Sequence, residues 1–419
     1  MAEILQNKTE NAVLVGVITG KIGDEYTSES TLNELKELAE TAGASVIGIM
    51  TQSRPSPENA TYLGEGKLRE LADFCDLNDV DLVIVDDELS GTQQKNMEKV
   101  IGISVIDRST LILDIFASRA TSNEGKLQVE LAQLKYMLPR LSGRGTEMSR
   151  LGGGIGTRGP GESQLETDKR HIRRRIETLE SELKDVEKRR SLMRERRNKD
   201  GFQTVVLVGY TNAGKSTLMN LLTDAGVLSE NKLFATLDPT ARALELNDGR
   251  TVILMDTVGF IRKLPHHLIK AFRSTLEEAV SADLLLIVND ISNPEYKVQL
   301  NVSEKLLSEL GCTNKPTIKV FNKCDIENIW HKGDEDSVYI SATENRGISE
   351  LMAAVTKKLS SGSRKIDLLI PYDNASLVSQ LREEGKLLCE NYVENGIQAS
   401  VIIDKKYEYK YTDYEVKEE

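Results

Sequence analysis

The chain has 419 residues and a formal net charge of −12 at pH 7, a length that predicts about two to four domains and an acidity that argues against a globally basic nucleic-acid binder. Its apolar runs are too short to span a bilayer, its N-terminus has no signal-peptide core, and its four cysteines show no metal-ligand spacing. We therefore expect a cytoplasmic monomer without stable membrane insertion.

Residues 1–108 alternate strand-like and helix-like segments, a pattern that predicts a small parallel α/β domain. A loop rich in turn residues, Asn59–Lys67, could bind a ligand, although a plain connector is the simpler interpretation of this loop taken alone. The strand-like runs are Val13–Val17, Ala44–Ile49, Asp81–Val85 and Ile103–Ile106, and the helix-like run is Thr31–Ala42.

Residues 109–200 predict an antiparallel helical hairpin with a glycine-rich loop. One helical run extends from Arg108 to Leu141, and a second follows the loop at residues 150–162, which no strand precedes, so it is no dinucleotide fingerprint. Residues 169–199 carry thirteen Lys or Arg against six Asp or Glu. This net charge of +7 favours contact with an RNA backbone over an ordinary solvated helix face. The apolar repeats are Leu127, Leu131, Leu134 and Leu138, and Ile172, Ile176, Leu179, Leu183, Val186 and Met193.

The segment Gly209–Ser216 matches the phosphate-binding loop pattern G-x-x-x-x-G-K-[ST]. It lies between the strand-like run Thr204–Val208 and a helix-like run, an arrangement that makes an anion cradle from backbone N–H groups and a helix N-terminus. Lys215 is expected to reach the β- and γ-phosphates, and the Ser216 hydroxyl to ligate Mg²⁺. The predicted contacts here are Gly209, Tyr210, Thr211, Asn212, Ala213, Gly214, Lys215, Ser216 and Thr217.

The stretch 322–325, N-K-C-D, follows a strand-like run and predicts guanine as the base. A carboxylate at Asp325 can accept from both N1–H and the N2 amino group of guanine, whereas adenine would leave this acceptor unpaired. The stem of Lys323 would cover the base or the ribose, and the segment 341–343 is placed to offer a backbone N–H to the guanine oxygen. The predicted contacts are Asn322, Lys323, Cys324, Asp325, Ser341, Ala342 and Thr343.

Two segments between these motifs have the chemistry of nucleotide-dependent switches. Asp256 would hold Mg²⁺ through water, and the Gly259 N–H would meet the γ-phosphate. In the polar loop upstream, Thr236 is the predicted second hydroxyl on the metal, with Thr240 as the alternative. We assign catalytic roles to Lys215, Thr236 and Gly259. The predicted nucleotide contacts of the switches are Phe234, Ala235, Thr236, Leu237, Asp238, Asp256, Thr257, Val258 and Gly259.

Two residues bear on how hydrolysis is catalysed. Phe260 stands where Ras-type enzymes place the glutamine that orients the attacking water, so we expect slow basal hydrolysis that a binding partner accelerates. Asn212 carries a second hypothesis, because related GTPases with asparagine at this position use a bound K⁺ as the charge that an arginine finger otherwise supplies.

These segments predict an α/β fold class. We expect residues 201–360 to form a P-loop GTPase domain, preceded by the small parallel α/β domain with its long antiparallel helical hairpin. A polar linker then leads to a small α+β module at residues 364–419. In this module we expect a strand at Ile366–Ile370, a helix at Ala375–Asn395 and a return strand at Ala399–Ile403.

Taken together, these motifs resemble the HflX family of ribosome-associated GTPases. The resemblance implies a cytoplasmic factor that binds GTP or GDP with Mg²⁺ and contacts rRNA and ribosomal proteins of the large (50S) subunit in its GTP state. Some members split stalled ribosomes, especially after heat stress. The resemblance depends on Asn59–Lys67, Asp86–Gln94, Ile106–Arg108, Glu124–Leu134, Gly152–Glu162 and Phe234–Thr240.

Two other functions stay open at this point. One is a GTPase switch that acts on a protein or membrane effector, with the hairpin as a dimerisation element. The other is a ribosome-bound scaffold whose nucleotide is structural or slowly hydrolysed.

Overall fold

The computed structural model describes residues 9–20, 28–141, 160–199, 202–223, 233–234, 240–263, 273–326, 329–331, 333–360 and 363–416. The chain divides into two compact units. The first comprises Met1–Val186, Ser229–Asp238 and Val258–Thr275, and the second comprises Glu187–Leu228, Pro239–Thr257 and Leu276–Glu419. Two predicted switch residues, Phe234 and Gly259, therefore belong to the first unit, whereas the phosphate loop belongs to the second.

The first unit contains a parallel sheet of four strands in the order β2-β1-β3-β4 among the described residues. The central strand β1 is buried along five consecutive residues, as expected for a strand covered on both faces. The predicted α/β domain is confirmed. Its elements are β1 (Asn11–Ile18), α1 (Ser28–Thr41), β2 (Ser45–Ser53), α2 (Glu65–Leu77), β3 (Leu82–Val85), α3 (Gly91–Ile101) and β4 (Ser104–Asp107).

The helical region that follows is α4 (Arg108–Arg119), α5 (Asn123–Arg140) and α6 (Pro160–Lys199). The expectation of one helical run from Arg108 to Leu141 is wrong, because Ala120 adopts an extended conformation. Ser122 then caps α5, its hydroxyl accepting from the Gly125 N–H at 2.9 Å. Ser and Asn at 122 and 123 were the available sequence signal for this new start.

Two ion pairs link α5 to α6 within the first unit. The Glu130 and Arg175 side chains lie 2.7 Å apart, as do those of Lys135 and Glu180. When the apolar repeats of α5 and α6 are placed at heptad positions a and d, each ion pair joins two residues at the same heptad position. The two pairs lie on opposite sides of the buried Leu179. Pairing between identical heptad positions is the pattern of antiparallel helices. Among the helices of the described ranges, none combines the length and the hydrophobicity that crossing a membrane requires.

The predicted GTPase domain, in the second unit, has a six-stranded sheet in the order β10-β9-β8-β5-β7-β6, again counting the described residues. Strand β6 runs antiparallel to β7, and the other pairs are parallel. The elements are β5 (Thr204–Gly209), α7 (Lys215–Thr223), β6 (Thr240–Glu245), β7 (Thr251–Asp256), α8 (Arg273–Ser281), β8 (Leu284–Asp290), α9 (Tyr296–Glu309), β9 (Thr317–Asn322), β10 (Ser337–Tyr339) and α10 (Ile348–Ser360).

The C-terminal module differs from its prediction. The helix expected at Ala375–Asn395 ends at Glu384, and residues Gly385–Val393 form a strand that pairs with the next one. Asn395-Gly396, a typical hairpin signal, closes the turn, and Gly396 has φ +145°. The elements are β11 (Ser363–Ile370), α11 (Ser376–Glu384), β12 (Gly385–Val393), β13 (Gly396–Asp404) and α12 (Lys405–Glu408).

Candidate nucleotide-binding site

The phosphate loop leaves the buried strand β5 and enters α7 through two glycines that no other residue could replace without strain. Gly209 has φ +141°, and a Cβ there would lie 2.1 Å from the Val288 carbonyl oxygen. Gly214 has φ +93°, and its Cβ would lie 2.2 Å from the Asn322 amide nitrogen. The left-handed backbone and the close neighbours both require glycine, so this part of the motif is a steric necessity.

Lys215 is held inside the loop rather than in solvent, since it is only 6% exposed. Its ammonium group donates to the carbonyl oxygens of Gly209 at 3.1 Å and Tyr210 at 2.8 Å. Burial lowers the pKa of Lys215 to about 8, although the neighbouring Asp256 carboxylate opposes this shift. A cation that is partly stripped of water is prepared to bind phosphate oxygens strongly.

Ser216 and Asp256 meet on the other side of the loop. The Ser216 hydroxyl donates to Asp256 Oδ2 at 2.7 Å, and Asp256 is 1% exposed at the end of β7. The adjacent Thr257 donates to the Leu207 carbonyl at 2.7 Å, which fixes the chain after the strand. A hydroxyl and a carboxylate oxygen side by side are hard oxygen donors that fit Mg²⁺.

Asn322 joins the phosphate loop to a segment that is predicted to bind the base. Its side-chain amide donates to the Ala213 carbonyl at 2.9 Å and accepts from the Ala342 N–H at 3.1 Å. Since Asn322 is 2% exposed and uses both ends of its amide in this way, we interpret it as a brace. Of the segment 341–343, which is predicted to offer a backbone N–H to the base, the Ala342 N–H is already engaged by Asn322.

The Asp325 carboxylate has the property expected of a base-binding group. Its Oδ1 atom is buried and has no hydrogen-bond partner within the described residues. Leaving a buried acceptor unpaired is costly, and a guanine N1–H or N2 amino group would supply the missing donor. The structure therefore fits a guanine base at this position.

The residues around Asp325 in the two predicted base-binding segments are fixed by their own contacts and by burial. Lys323 has φ +64°, and its ammonium group lies 2.7 Å from Asp290 Oδ2, so the stem predicted to cover the base is fixed by an ion pair. Cys324 is fully buried, and burial raises the pKa of its thiol to about 11, so the thiol is unreactive filler. Ser341 shares a hydrogen bond with Thr343 at 3.1 Å, within the second predicted base segment.

The remaining predicted contacts of the second unit line the same loop. Tyr210 and Ala213 are buried, Asn212 is half-buried with φ +60°, and Thr217 lies in the first turn of α7. Thr211 is 6% exposed, and its hydroxyl also lacks a hydrogen-bond partner among the residues that the structure describes. Thr240, the alternative metal ligand, begins β6.

The switch residues of the first unit are only partly described. Phe234 is 2% exposed, has φ +54°, and packs edge-on against Phe116 with ring centroids 4.7 Å apart. Val258 and Gly259 are buried. Phe260 is also buried, at 2% exposure, which agrees with a position that does not orient water. Four predicted contacts, Ala235, Thr236, Leu237 and Asp238, lie outside the described residues.

Sequence reasoning missed Asp290 and the bracing role of Asn322. Asp290 ends the buried strand β8, whose residues Leu284–Asp290 form an apolar run followed by a carboxylate. That run was a usable signal, because the carboxyl ends of neighbouring parallel strands meet at one edge of a sheet.

A glycine loop with a buried lysine, a hydroxyl–carboxylate pair and a guanine-directed carboxylate define a P-loop GTPase. The family models agree: residues 29–117 match the GTP-binding GTPase N-terminal region, residues 119–197 its middle region, and residues 204–323 the 50S ribosome-binding GTPase domain.

Curated relatives named GTPase HflX match nearly the whole chain. The one from Caldanaerobacter subterraneus subsp. tengcongensis is 53% identical over 95% of this chain and 91% of its own. The one from Escherichia coli is 42% identical over 92% of each. The chain belongs to the HflX family of GTPases, and it hydrolyses GTP.

Solved structures are also similar to this chain. A GTP-binding protein from Sulfolobus solfataricus in complex with GDP is 26% identical over 84% of this chain and 99% of its own, with a TM-score of 0.45.

Proposed function

We propose that this GTPase is a switch that binds the large ribosomal subunit in its GTP state and acts in ribosome splitting, recycling or rescue under stress. The main observation that supports ribosome binding is the charge of α6, since residues 169–199 have a net charge of +7 in a chain of −12. The match of residues 204–323 to the domain described as a 50S ribosome-binding GTPase supports the same partner.

The basic residues of α6 are available for RNA. Arg170, Arg173, Arg174, Lys184 and Arg189 are exposed, and their spacing spreads positive charge along a helix of 40 residues. A long cationic helix suits an rRNA backbone, which is recognised mainly by shape and phosphate contacts. The affinity is therefore expected to fall steeply with salt as counterions are released.

The nucleotide would control this binding through the switch segments. Ser216 would ligate Mg²⁺ directly, Asp256 through water, and Thr236 would supply the second hydroxyl. When bound, Mg²⁺ neutralises the charge that develops on the phosphates. Lys215 would hold the β- and γ-phosphates. Order in the switches would favour the ribosome-bound state, and hydrolysis would release the protein.

Phe260 supports slow basal hydrolysis, because its buried ring offers water no hydrogen bond. The ribosomal subunit would then complete the site. Asn212 supports a further cofactor, a K⁺ ion beside the phosphates. A hydrolysis rate that does not change when K⁺ is replaced by Na⁺ would eliminate that cofactor.

Co-sedimentation with isolated 50S subunits tests the proposal. Binding should be strong with a non-hydrolysable GTP analogue and weak with GDP. The variant Arg173→Gln with Arg174→Gln should lower the slope of log affinity against log salt by roughly one per residue. The matched control, Lys36→Gln with Lys99→Gln, changes two exposed lysines of α1 and α3 and should leave the slope unchanged.

The same measurements address the other two functions. Nucleotide-independent, salt-insensitive behaviour would indicate a protein or membrane effector instead. Binding to subunits without accelerated hydrolysis, in wild type as in Lys215→Ala, would indicate a scaffold. Sucrose gradients of stalled ribosomes, with and without GTP, then show whether binding leads to subunit separation.

A further inference from the structure

The parallel sheet of the first unit has the reversal of strand order that is typical of doubly wound folds. Strand β1 pairs with β2 on one side and with β3 on the other, so the strand order reverses between β1 and β3. In open α/β sheets, ligands bind outside the carboxyl ends of the strands at such a point. Asp86 and Asp87 directly follow β3 at this place.

These two carboxylates bind a residue of the chain itself, Lys263. The Lys263 ammonium nitrogen lies 2.6 Å from Asp86 Oδ2 and 2.7 Å from Asp87 Oδ1. Burial lowers the pKa of Lys263, but Asp86 and Asp87 raise it by more, so the net shift is above its ordinary value. Lys263 follows the switch glycine Gly259 by four residues, and both belong to the first unit.

The carboxylates are themselves held firmly. Asp86 is 3% exposed and accepts from the Arg108 guanidinium at 2.7 Å, and Arg108 also pairs with Glu34. Asp87 accepts from the Tyr62 hydroxyl at 2.6 Å, and this hydroxyl in turn accepts from the Val17 N–H at 3.1 Å. The anchor for Lys263 is thus built from the ends of three strands.

The residues that build the anchor for Lys263 come from three segments that distinguish the chain from a generic GTPase. Tyr62 lies in the loop Asn59–Lys67, Asp86 begins the stretch Asp86–Gln94, and Arg108 ends Ile106–Arg108. The structure brings these separate segments together around Lys263, where Tyr62 contacts Asp87 and Arg108 contacts Asp86.

The backbone at Lys263 indicates that this contact constrains conformation. Lys263 has φ +51°, a left-handed conformation that residues with a Cβ seldom adopt. Such conformations persist where surrounding interactions fix them, often at functional sites. The preceding residue, Arg262, is 3% exposed and donates to the Ser30 hydroxyl.

We propose that Asp86 and Asp87 are positioning residues for GTP hydrolysis, because by binding Lys263 they fix the backbone that carries the Gly259 N–H. Lys263 contributes to the charge balance, because Arg108 is shared between Asp86 and Glu34. By contacting both aspartates at once, Lys263 also gains a fixed position. The proposal concerns hydrolysis by the protein alone and is independent of any ribosomal partner.

Steady-state hydrolysis by the full chain tests this role with Lys263→Gln, Asp87→Asn and the double variant. Each single variant should lower kcat about tenfold, less than the roughly hundredfold loss that displacing a reacting group by an ångström causes. KM for GTP and Kd for GDP should stay within about twofold, and the double variant should lose no more than the worse single one. Lys263→Arg should restore most of kcat.

Two controls separate positioning from a general loss of structure. Arg69→Gln removes an ion pair of similar length, to Glu65 at 2.6 Å on α2 of the same unit, and should leave kcat unchanged. Amide exchange in residues 258–263 should accelerate in Lys263→Gln and Asp87→Asn, with unchanged exchange in β1 and β3. An unchanged or raised kcat in the two single variants, additive losses in the double variant, or an equal loss in Arg69→Gln would overturn the proposal.

Discussion

Asp325 and Asp86 each follow a parallel strand and have buried carboxylate oxygens, but different groups supply the hydrogen bonds of those oxygens. Asp325, after β9, has an oxygen without a partner among the described residues. Asp86, after β3, accepts from Arg108 and from Lys263. Because ligands bind at the carboxyl ends of parallel strands, one sheet is prepared for an external donor, and in the other the chain supplies its own. Burial of a charge alone does not distinguish these cases, whereas an unpaired acceptor does.

Asp325→Asn tests whether the unpaired oxygen of Asp325 binds guanine. Replacing a carboxylate oxygen by an N–H₂ group removes charge-assisted hydrogen bonds to guanine and places two donors opposite each other. We expect GDP affinity to fall by about 3–6 kcal/mol, at least a hundredfold. Xanthine carries a carbonyl where guanine has its amino group, so affinity for xanthosine diphosphate should rise. Titration of both nucleotides measures the change.

The matched control is Asp336→Asn, since the Asp336 side chain is 68% exposed. It should leave both affinities unchanged, and neither variant should lose much thermal stability. If Asp325→Asn kept wild-type affinity for GDP, the assignment of the base site would be wrong.

Asp86→Asn should have the converse effect, lowering stability without changing GDP affinity. Arg108 is 2% exposed, and its guanidinium would lose the charge of Asp86 while Glu34 stays beside it. We expect a loss of about 2–3 kcal/mol, somewhat below the cost of removing the sole partner of a buried ion. Urea unfolding followed by amide exchange in β1 and β3 measures it. The single tryptophan, Trp330, belongs to the second unit and would report on that unit instead.

Asp76→Asn provides the comparison for that experiment, because Asp76 is an exposed carboxylate on α2. It should cost less than about 0.5 kcal/mol. A tenfold or larger loss of GDP affinity in Asp86→Asn would contradict the contrast between the two carboxylates.

The local arrangement of the second unit's candidate site could be predicted from the sequence because its information is local. A strand, a glycine loop and a helix follow one another within Thr204–Thr223, and steric limits at Gly209 and Gly214 leave little choice of residue. The guanine motif at 322–325 has the same compact form.

Contacts between distant residues were not predictable in this way. Lys263 and Asp86 are 177 residues apart in the chain, and Asn322 reaches Ala213 across 109 residues. The wrong helix at Ala375–Asn395 has a different cause, since Leu387 and its neighbours fit a helix as well as a strand. Pairing of β12 with β13 decided the outcome there, although Asn395-Gly396 had signalled the hairpin.

The pH dependence of nucleotide binding gives the smallest expected effect and sharpens the account of Lys215. With a pKa of about 8 in the nucleotide-free protein, Lys215 loses its proton as the pH rises through 8. Bound phosphates favour the charged form and raise this pKa, so binding above pH 8 must take up a proton. The Kd for GTP should therefore be constant below about pH 7 and about tenfold higher one pH unit above 8.

Lys215→Arg is the reference, because guanidinium stays charged throughout this range. Guanine itself loses a proton in alkali and affects both proteins equally. The quantity to follow is therefore the ratio of the Kd for GTP of the wild type to that of Lys215→Arg. Parallel curves for wild type and Lys215→Arg would show that burial does not lower the pKa of Lys215 in solution.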